Sequence, residues 1–140
     1  MTFEKLTAEH VARLGPLADI HAGYEITPEL ALDLEQLGGK AAVDDDGMVL
    51  AIAGIMPRWE GVGLAWAWLS RDWRKYARRI TAEIIANLAA SKCHRIELGV
   101  KVGFDRGARW AERMGFELET PCAKGWGPDG SDFAIYVRVK

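Results

Sequence analysis

Cysteine is nearly absent: the chain holds only Cys93 and Cys122. They are too far apart for a C-x-x-C pair, which excludes a disulfide scaffold and a cysteine-built metal site. Two lone thiols fit a reducing compartment. Proline is scarce, with 5 residues beside 15 glycines, so collagen-like and low-complexity chains are excluded. Neither sign of charge dominates. Lys+Arg of 18 against Asp+Glu of 20 leaves −2, which argues against holding nucleic acid by bulk positive charge. The longest apolar run, Met48 to Met56, is about half of a membrane span. Residues Met1 to Leu6 carry no apolar signal core. Together these absences point to a cytoplasmic protein with no membrane partner and argue against nucleic acid as one. What remains is ordinary globular stock, 49% hydrophobic and 27% charged, at the length of a single domain spanning 1–140.

Thr7 reads as an N-cap with Glu9 in the first turn. Val11, Leu14, Leu17 and Ile20 then recur at helical spacing, with a kink or break expected at Gly15-Pro16. A second helix start is sharper. Thr27 caps, Pro28 takes the first helical position, Leu30, Leu34 and Leu37 form a stripe, and Gly38-Gly39 stops it. Ala41 to Val43 leads into Asp44-Asp45-Asp46-Gly47, a hairpin signal. Val49 to Pro57 reads as a long central strand, Gly61 to Gly63 as a turn or bulge. Leu64 to Leu69 is a strand with Trp66 and Trp68 on one face. A long helix is expected from Asp72 to Ala90, with Trp73, Ala77, Ile80, Ile84 and Leu88 inward. Cys93 to Val100 is a strand, Asp105 to Met114 a helix ended by Gly115 at C′, and Phe116 to Glu119 a strand. Pro121 to Asp132 reads as a loop and Phe133 to Val139 as the closing strand. The order is β-α-α-β-β-β-α-β-α-β-β.

That order resembles the GCN5-related N-acetyltransferase (GNAT) family, as does Phe104-Asp105-Arg106-Gly107-Ala108-Arg109-Trp110-Ala111-Glu112-Arg113-Met114-Gly115-Phe116. This segment is similar to the family's Asn-x-x-Ala-x-x-Leu-Tyr-x-x-x-Gly-Phe, with Asp105 at the Asn, Ala108 at the Ala and Gly115-Phe116 at the Gly-Phe. The resemblance implies an α/β (α+β) domain with a mixed, mostly antiparallel sheet flanked by helices. It also implies acetyl-CoA as cosubstrate and transfer of an acyl group to a small-molecule or protein amine. The family's Arg/Gln-x-x-Gly-x-Gly/Ala, whose amides hold the pyrophosphate, falls at Ser70-Arg71-Asp72-Trp73-Arg74-Lys75-Tyr76-Ala77-Arg78-Arg79. Charge is abundant there, but no glycine is present. Ala111 stands where the family has its tyrosine acid, and Leu64 to Leu69 has no ionisable side chain. These departures also resemble small GNAT-like proteins of tailed phages. That alternative implies a non-catalytic virion-assembly or protein-binding module, virion-associated rather than free in the cytoplasm. A homodimer stays open in either case.

The site residues follow from the resemblance. Leu69, Ser70, Arg71, Arg74, Lys75 and Arg78 would hold the coenzyme phosphates, and Asp105 and Ala108 would face the pantetheine end. Tyr24 and Glu25 would bind the acceptor, and Glu97 would be the base through water. Each has a plainer reading. Arg71, Arg74, Lys75 and Arg78 share a helix face by i, i+3, i+4, i+7 spacing and can be a solvated face. Trp66 and Trp68 fit core better than a pantetheine channel, Tyr24 and Glu25 can be plain loop, and Glu97 a half-exposed strand residue. His10, His21 and His94 lack metal-ligand spacing and read as surface or capping residues. No metal is implied. Cys93 reads as buried. Trp126, in Gly125-Trp126-Gly127-Pro128, either presents a partner surface or folds back over the sheet.

Overall fold

The computed structural model describes residues 1–18 and 25–140. Seven strands lie in hydrogen-bonded order β1-β2-β3-β4-β5-β7-β6, mostly antiparallel, in an α+β fold. The element order matches the sequence pattern throughout. By compactness the chain is described as two units: Met1–Met56 with Trp66–Glu83, and Pro57–Ala65 with Ile84–Lys140.

In the first unit, β1 (Thr2–Lys5) pairs with β2 (Lys40–Val43), which pairs with β3 (Val49–Trp59). Helix α1 is only Ala8–Ala12. Its cap is reciprocal: the His10 amide donates to Thr7 Oγ1 at 3.3 Å, and the Thr7 amide donates to His10 Nδ1 at 3.1 Å. Because Nδ1 accepts there, the ring proton of the neutral imidazole sits on Nε2, which donates to Glu4 at 3.2 Å. The helix stops ahead of the break expected at Gly15-Pro16, and Leu14 and Leu17 do not continue it. Proline disfavours helical geometry in the residue before it, and an extended alternative is at hand. Gly15 donates to the Val49 carbonyl, Leu14 bridges Val49 and Leu17 bridges Ser70. Ile20 lies outside the described residues.

Helix α2 (Pro28–Leu37) follows its signals closely. Thr27 Oγ1 accepts the Leu30 amide at 3.2 Å, and Gly38 closes the helix at φ +84°. Asp44 Oδ1 accepts the amides of Asp46 and Met48 and so builds the β2–β3 turn. Leu6, Val11, Leu34, Val43 and Ile52 form the core of this unit. Trp66 and Trp68 of β4 (Val62–Leu69) pack against it, in agreement with the core reading. After β4 the chain winds as a 3-10 helix, Arg71–Tyr76, and only then as α3 (Ala77–Ala90). The single helix from Asp72 is thereby corrected.

In the second unit, β4 pairs in parallel with β5 (Arg95–Lys101) over Val62↔Arg95 to Leu64↔Glu97. β5 pairs antiparallel with β7 (Phe133–Val139). Helix α4 (Asp105–Arg113) covers Val100 on one face of β5, and Gly115 at φ +92° ends it as expected. β6 (Glu117–Ala123) runs past Pro121, which had read as loop. It is the outer strand of the sheet, where a missing N–H breaks no inner ladder, and two register shifts accommodate the proline segment. Lys140 Nζ donates to the Ala89 and Ser91 carbonyls and closes the C-terminal end of α3.

Candidate functional site

In the first unit, Leu69 and Ser70 are fully buried, and Arg71, Arg74, Lys75 and Arg78 are all exposed. None of the four cations makes a hydrogen bond or ion pair with another described residue. The shared helix face expected for them is not formed. With three residues per 3-10 turn, Arg71 and Arg74 stack in register and Lys75 steps about 120° away. They remain four free cations within eight residues around the start of α3, a positive concentration suited to an anion.

The backbone there is largely committed. Ser70 donates to the Leu50 carbonyl at 2.9 Å, Arg71 to the Pro16 carbonyl at 2.8 Å, and Trp73 to the Ser70 carbonyl at 3.3 Å. The Leu69 carbonyl accepts the Ala18 amide at 2.8 Å. The Ser70 amide is thus closed by β3 and the Arg71 amide by the 14–18 segment, a correction to their expected role as anion donors. Pro16 was the only signal of that segment in the sequence. Ser70 Oγ is buried without a hydrogen-bond partner among the described residues. Trp73 is half-buried, nearer its expected core role than an exposed stacking platform.

In the second unit, Asp105 and Ala108 come together at the lining of a cavity of about 180 Å³ beside Lys101, Phe104 and Tyr136. That volume is short of the several hundred Å³ of a typical ligand pocket. The small residue of α4 packed against the sheet is Gly107, not Ala108. A Cβ on Gly107 would lie 3.1 Å from Val100 Cγ1 and 2.2 Å from Phe104 Cδ1. Counting back from Gly115 by the motif's own spacing also reaches Gly107 and Phe104, one residue earlier than the Asp105 and Ala108 alignment. Phe104 consequently takes the N-cap position of α4 and offers no side-chain cap. Ala111 is wholly buried, so a phenol has no room there.

Glu97 stands at the last β4–β5 pair, its side chain 18% exposed. It makes no hydrogen bond among the described residues, and its nearest cation is Arg95 at 3.8 Å. Arg95 is engaged elsewhere, by two hydrogen bonds to Glu119 at 2.9 and 2.6 Å. Those bonds hold the Glu119 carboxyl below its ordinary range and raise the Arg95 guanidinium. Trp126 folds back: its ring lies 5.1 Å from that of Phe133 and against the backbone of Gly99. Glu25 is exposed, and Tyr24 and His21 lie outside the described residues. Cys93 is half-buried rather than buried, and Cys122 is exposed; both are free thiols. Among the described residues no three metal-ligating side chains cluster, and no helix is long and apolar enough to cross a membrane.

No family model matches the sequence, and no curated protein matches it. Solved structures do match. Ard1 from Thermoplasma volcanium superimposes with a TM-score of 0.81 at 13% identity, covering 99% of this chain and 96% of that one. An N-acetyltransferase from Staphylococcus aureus Mu50 gives 0.80 at 13% identity, with 99% and 96% covered. A GNAT superfamily phosphinothricin acetyltransferase from Sinorhizobium meliloti, solved in complex with AcCoA, gives 0.72 at 19% identity, with 99% and 87% covered. At such identities the likeness is one of fold, and the fold of this chain is that of the GNAT acetyltransferases.

Proposed function

We propose that the chain is an acyl-CoA-dependent N-acyltransferase acting on an amine acceptor. The observation that carries this reading is the GNAT fold along 99% of the chain, with four unpartnered cations around the start of α3. Acetyl-CoA supplies the acyl group as a thioester. Arg71, Arg74, Lys75 and Arg78 hold its phosphates by side-chain charge, in place of the closed Ser70 and Arg71 amides. The pantetheine arm is assigned to Asp105 and Ala108, and the acceptor to Tyr24 and Glu25. The amine attacks the carbonyl carbon, the N–C bond forms, the C–S bond breaks, and Glu97 takes the amine proton directly or through water. With Ala111 in the acid's position, the thiolate leaves unassisted. A thiol pKa near 8.5 makes that leaving group tolerable. Most of the acceleration then comes from positioning.

Calorimetric titration with acetyl-CoA and CoA tests the reading, followed by thiol release from acetyl-CoA in the presence of an amine panel. Micromolar binding with amine-dependent thiol release supports it. No heat at millimolar ligand, with the fold intact by circular dichroism, overturns it. Binding without turnover against any amine would instead indicate a non-catalytic binding module.

A further inference from the structure

The β6–β7 loop places an indole on bare backbone of β5, two residues from Glu97. A Cβ on Gly99 would lie 2.5 Å from Trp126 Cζ3, 2.7 Å from Cη2 and 3.2 Å from Phe133 Cδ2, so only glycine admits this seating. The direction of that Cβ assigns the face. Side chains alternate along a strand, so Glu97, Gly99 and Lys101 share one side of β5, while Val100 on the other meets Gly107 of α4. Trp126 therefore lies on the Glu97 side, two residues along β5, about 7 Å away by strand rise. The loop is held by its own bonds. Gly125 donates to Asp132 Oδ1 at 2.9 Å and Gly127 to the Ser131 carbonyl at 3.0 Å. The amide and hydroxyl of Ser131 donate to Asp129 and hold its carboxyl below the ordinary range.

The two β5 cations on this side are already engaged. Arg95 is taken up by Glu119, and Lys101 lies 3.8 Å from Asp129. Of Glu97, Glu119 and Asp129, Glu97 is the one without a hydrogen bond among the described residues. The indole remains 40% exposed. An electron-rich ring next to a carboxylate in need of a donor suits a cation that also donates hydrogen bonds. We propose that Glu97 and Trp126 form a recognition face for the protonated primary amine of an alkylammonium ligand. Resting on the acyltransferase reading, this ligand is the acceptor. Glu97 binds it as the ammonium before taking its proton, and Trp126 is a specificity residue that selects cationic over neutral acceptors.

The test uses the full chain labelled with 5-fluorotryptophan, the Trp126 resonance being assigned by its loss in Trp126→Phe. The probe is n-butylammonium and the neutral control n-pentanol. The Trp126 signal is expected to shift saturably with n-butylammonium and not with n-pentanol. Glu97→Gln, nearly isosteric, and Gly99→Ala, which pushes the ring off its seat, should each raise the Kd at least fivefold. Near-UV circular dichroism checks that both variants are folded. A silent Trp126, an equal response to n-pentanol, or a Kd within twofold in folded Glu97→Gln overturns the inference. Acetyl-CoA calorimetry on the same samples separates the two readings. Acetyl-CoA binding with a silent Trp126 defeats this inference alone. A Trp126 response without acetyl-CoA binding defeats the transferase reading and leaves an ammonium site.

Discussion

Replacing Arg74 and Lys75 together by alanine should weaken acetyl-CoA about tenfold at physiological salt while leaving the fold as stable as before. Both side chains are exposed and unpartnered, so their loss breaks no contact within the protein. Their contribution to an anion is correspondingly the modest one of exposed charge. A cation about 5 Å from one phosphate charge gains roughly 0.8 kcal/mol at the dielectric of water. A second phosphate charge near 8 Å adds about 0.5 kcal/mol. Two such cations give roughly 2.5 kcal/mol, and screening at a Debye length of about 8 Å leaves about half of it. The remainder, near 1.4 kcal/mol, is a factor of about ten in Kd. The assay is calorimetric titration at low, physiological and high salt. The gap between native and variant should widen at low salt and shrink at high salt. Lys5→Ala/Lys92→Ala removes the same charge elsewhere on the surface and should move the Kd less than twofold. Equal Kd values for native protein and Arg74→Ala/Lys75→Ala at low salt would refute the reasoning, as would equal losses in the two double variants.

Three further outcomes follow from single residues. Gly39 sits at φ +147° with its Cβ position 2.4 Å from the Ala53 carbonyl, whereas Gly38 at φ +84° has open space. Gly39→Ala should therefore cost about 3 kcal/mol in urea unfolding, and Gly38→Ala about 1 kcal/mol. Similar costs would show that backbone conformation alone matters there. Ser70→Ala, which deletes a buried hydroxyl without a partner, should leave stability unchanged or raise it by up to about 1 kcal/mol. A loss above that size would reveal a hydroxyl contact of the helix-cap kind. Arg95 depresses the Glu119 carboxyl, so its contribution is present above the ordinary glutamate pKa and lost as pH falls through the lower folded value. Glu119→Gln should flatten the acid limb of the stability profile, and an unchanged limb would remove the pair from acid unfolding.

Features legible in the sequence were those encoded locally. Thr27, Pro28 and Gly38 bound α2 by chemistry within one turn of each end, and Asp44 builds its own hairpin turn. The alternation from Phe133 to Val139 suffices for β7. Where the pattern misled, a partner distant in sequence decided. Leu14 and Leu17 have helical spacing, yet the Val49 and Leu69 carbonyls and the Arg71 amide draw their segment out straight. Pro121 reads as a loop until the outer position of β6 excuses its missing donor. The 3-10 winding of Arg71–Tyr76 has no signature separable from an α-helix, because apolar spacing of three or four residues serves both. The candidate site fared likewise. Glu97 and the two possible fates of Trp126 were visible in the residues, but Gly99 as the seat of the indole emerges only when β6, β7 and β5 are side by side.

The absent glycine cradle has a physical counterpart rather than being a bare loss. Glycine at the start of the long helix lets backbone amides approach a pyrophosphate closely. Here that backbone is spoken for, since Ser70 and Arg71 donate to Leu50 and Pro16. A glycine there would free no donor, and Trp73 can remain half-buried. An anion at this helix start must then be met by long side chains in water. Such contacts cost rotamer entropy and fade with salt, whereas preorganised amides do neither to the same degree. On the transferase reading, coenzyme affinity should therefore be weaker and more salt-sensitive than a glycine cradle provides. The coenzyme also binds less rigidly, so precise placement of the acyl carbon depends more on the acceptor side. On that reading the burden of orientation falls on the acceptor side, where the Trp126 ring is seated on Gly99.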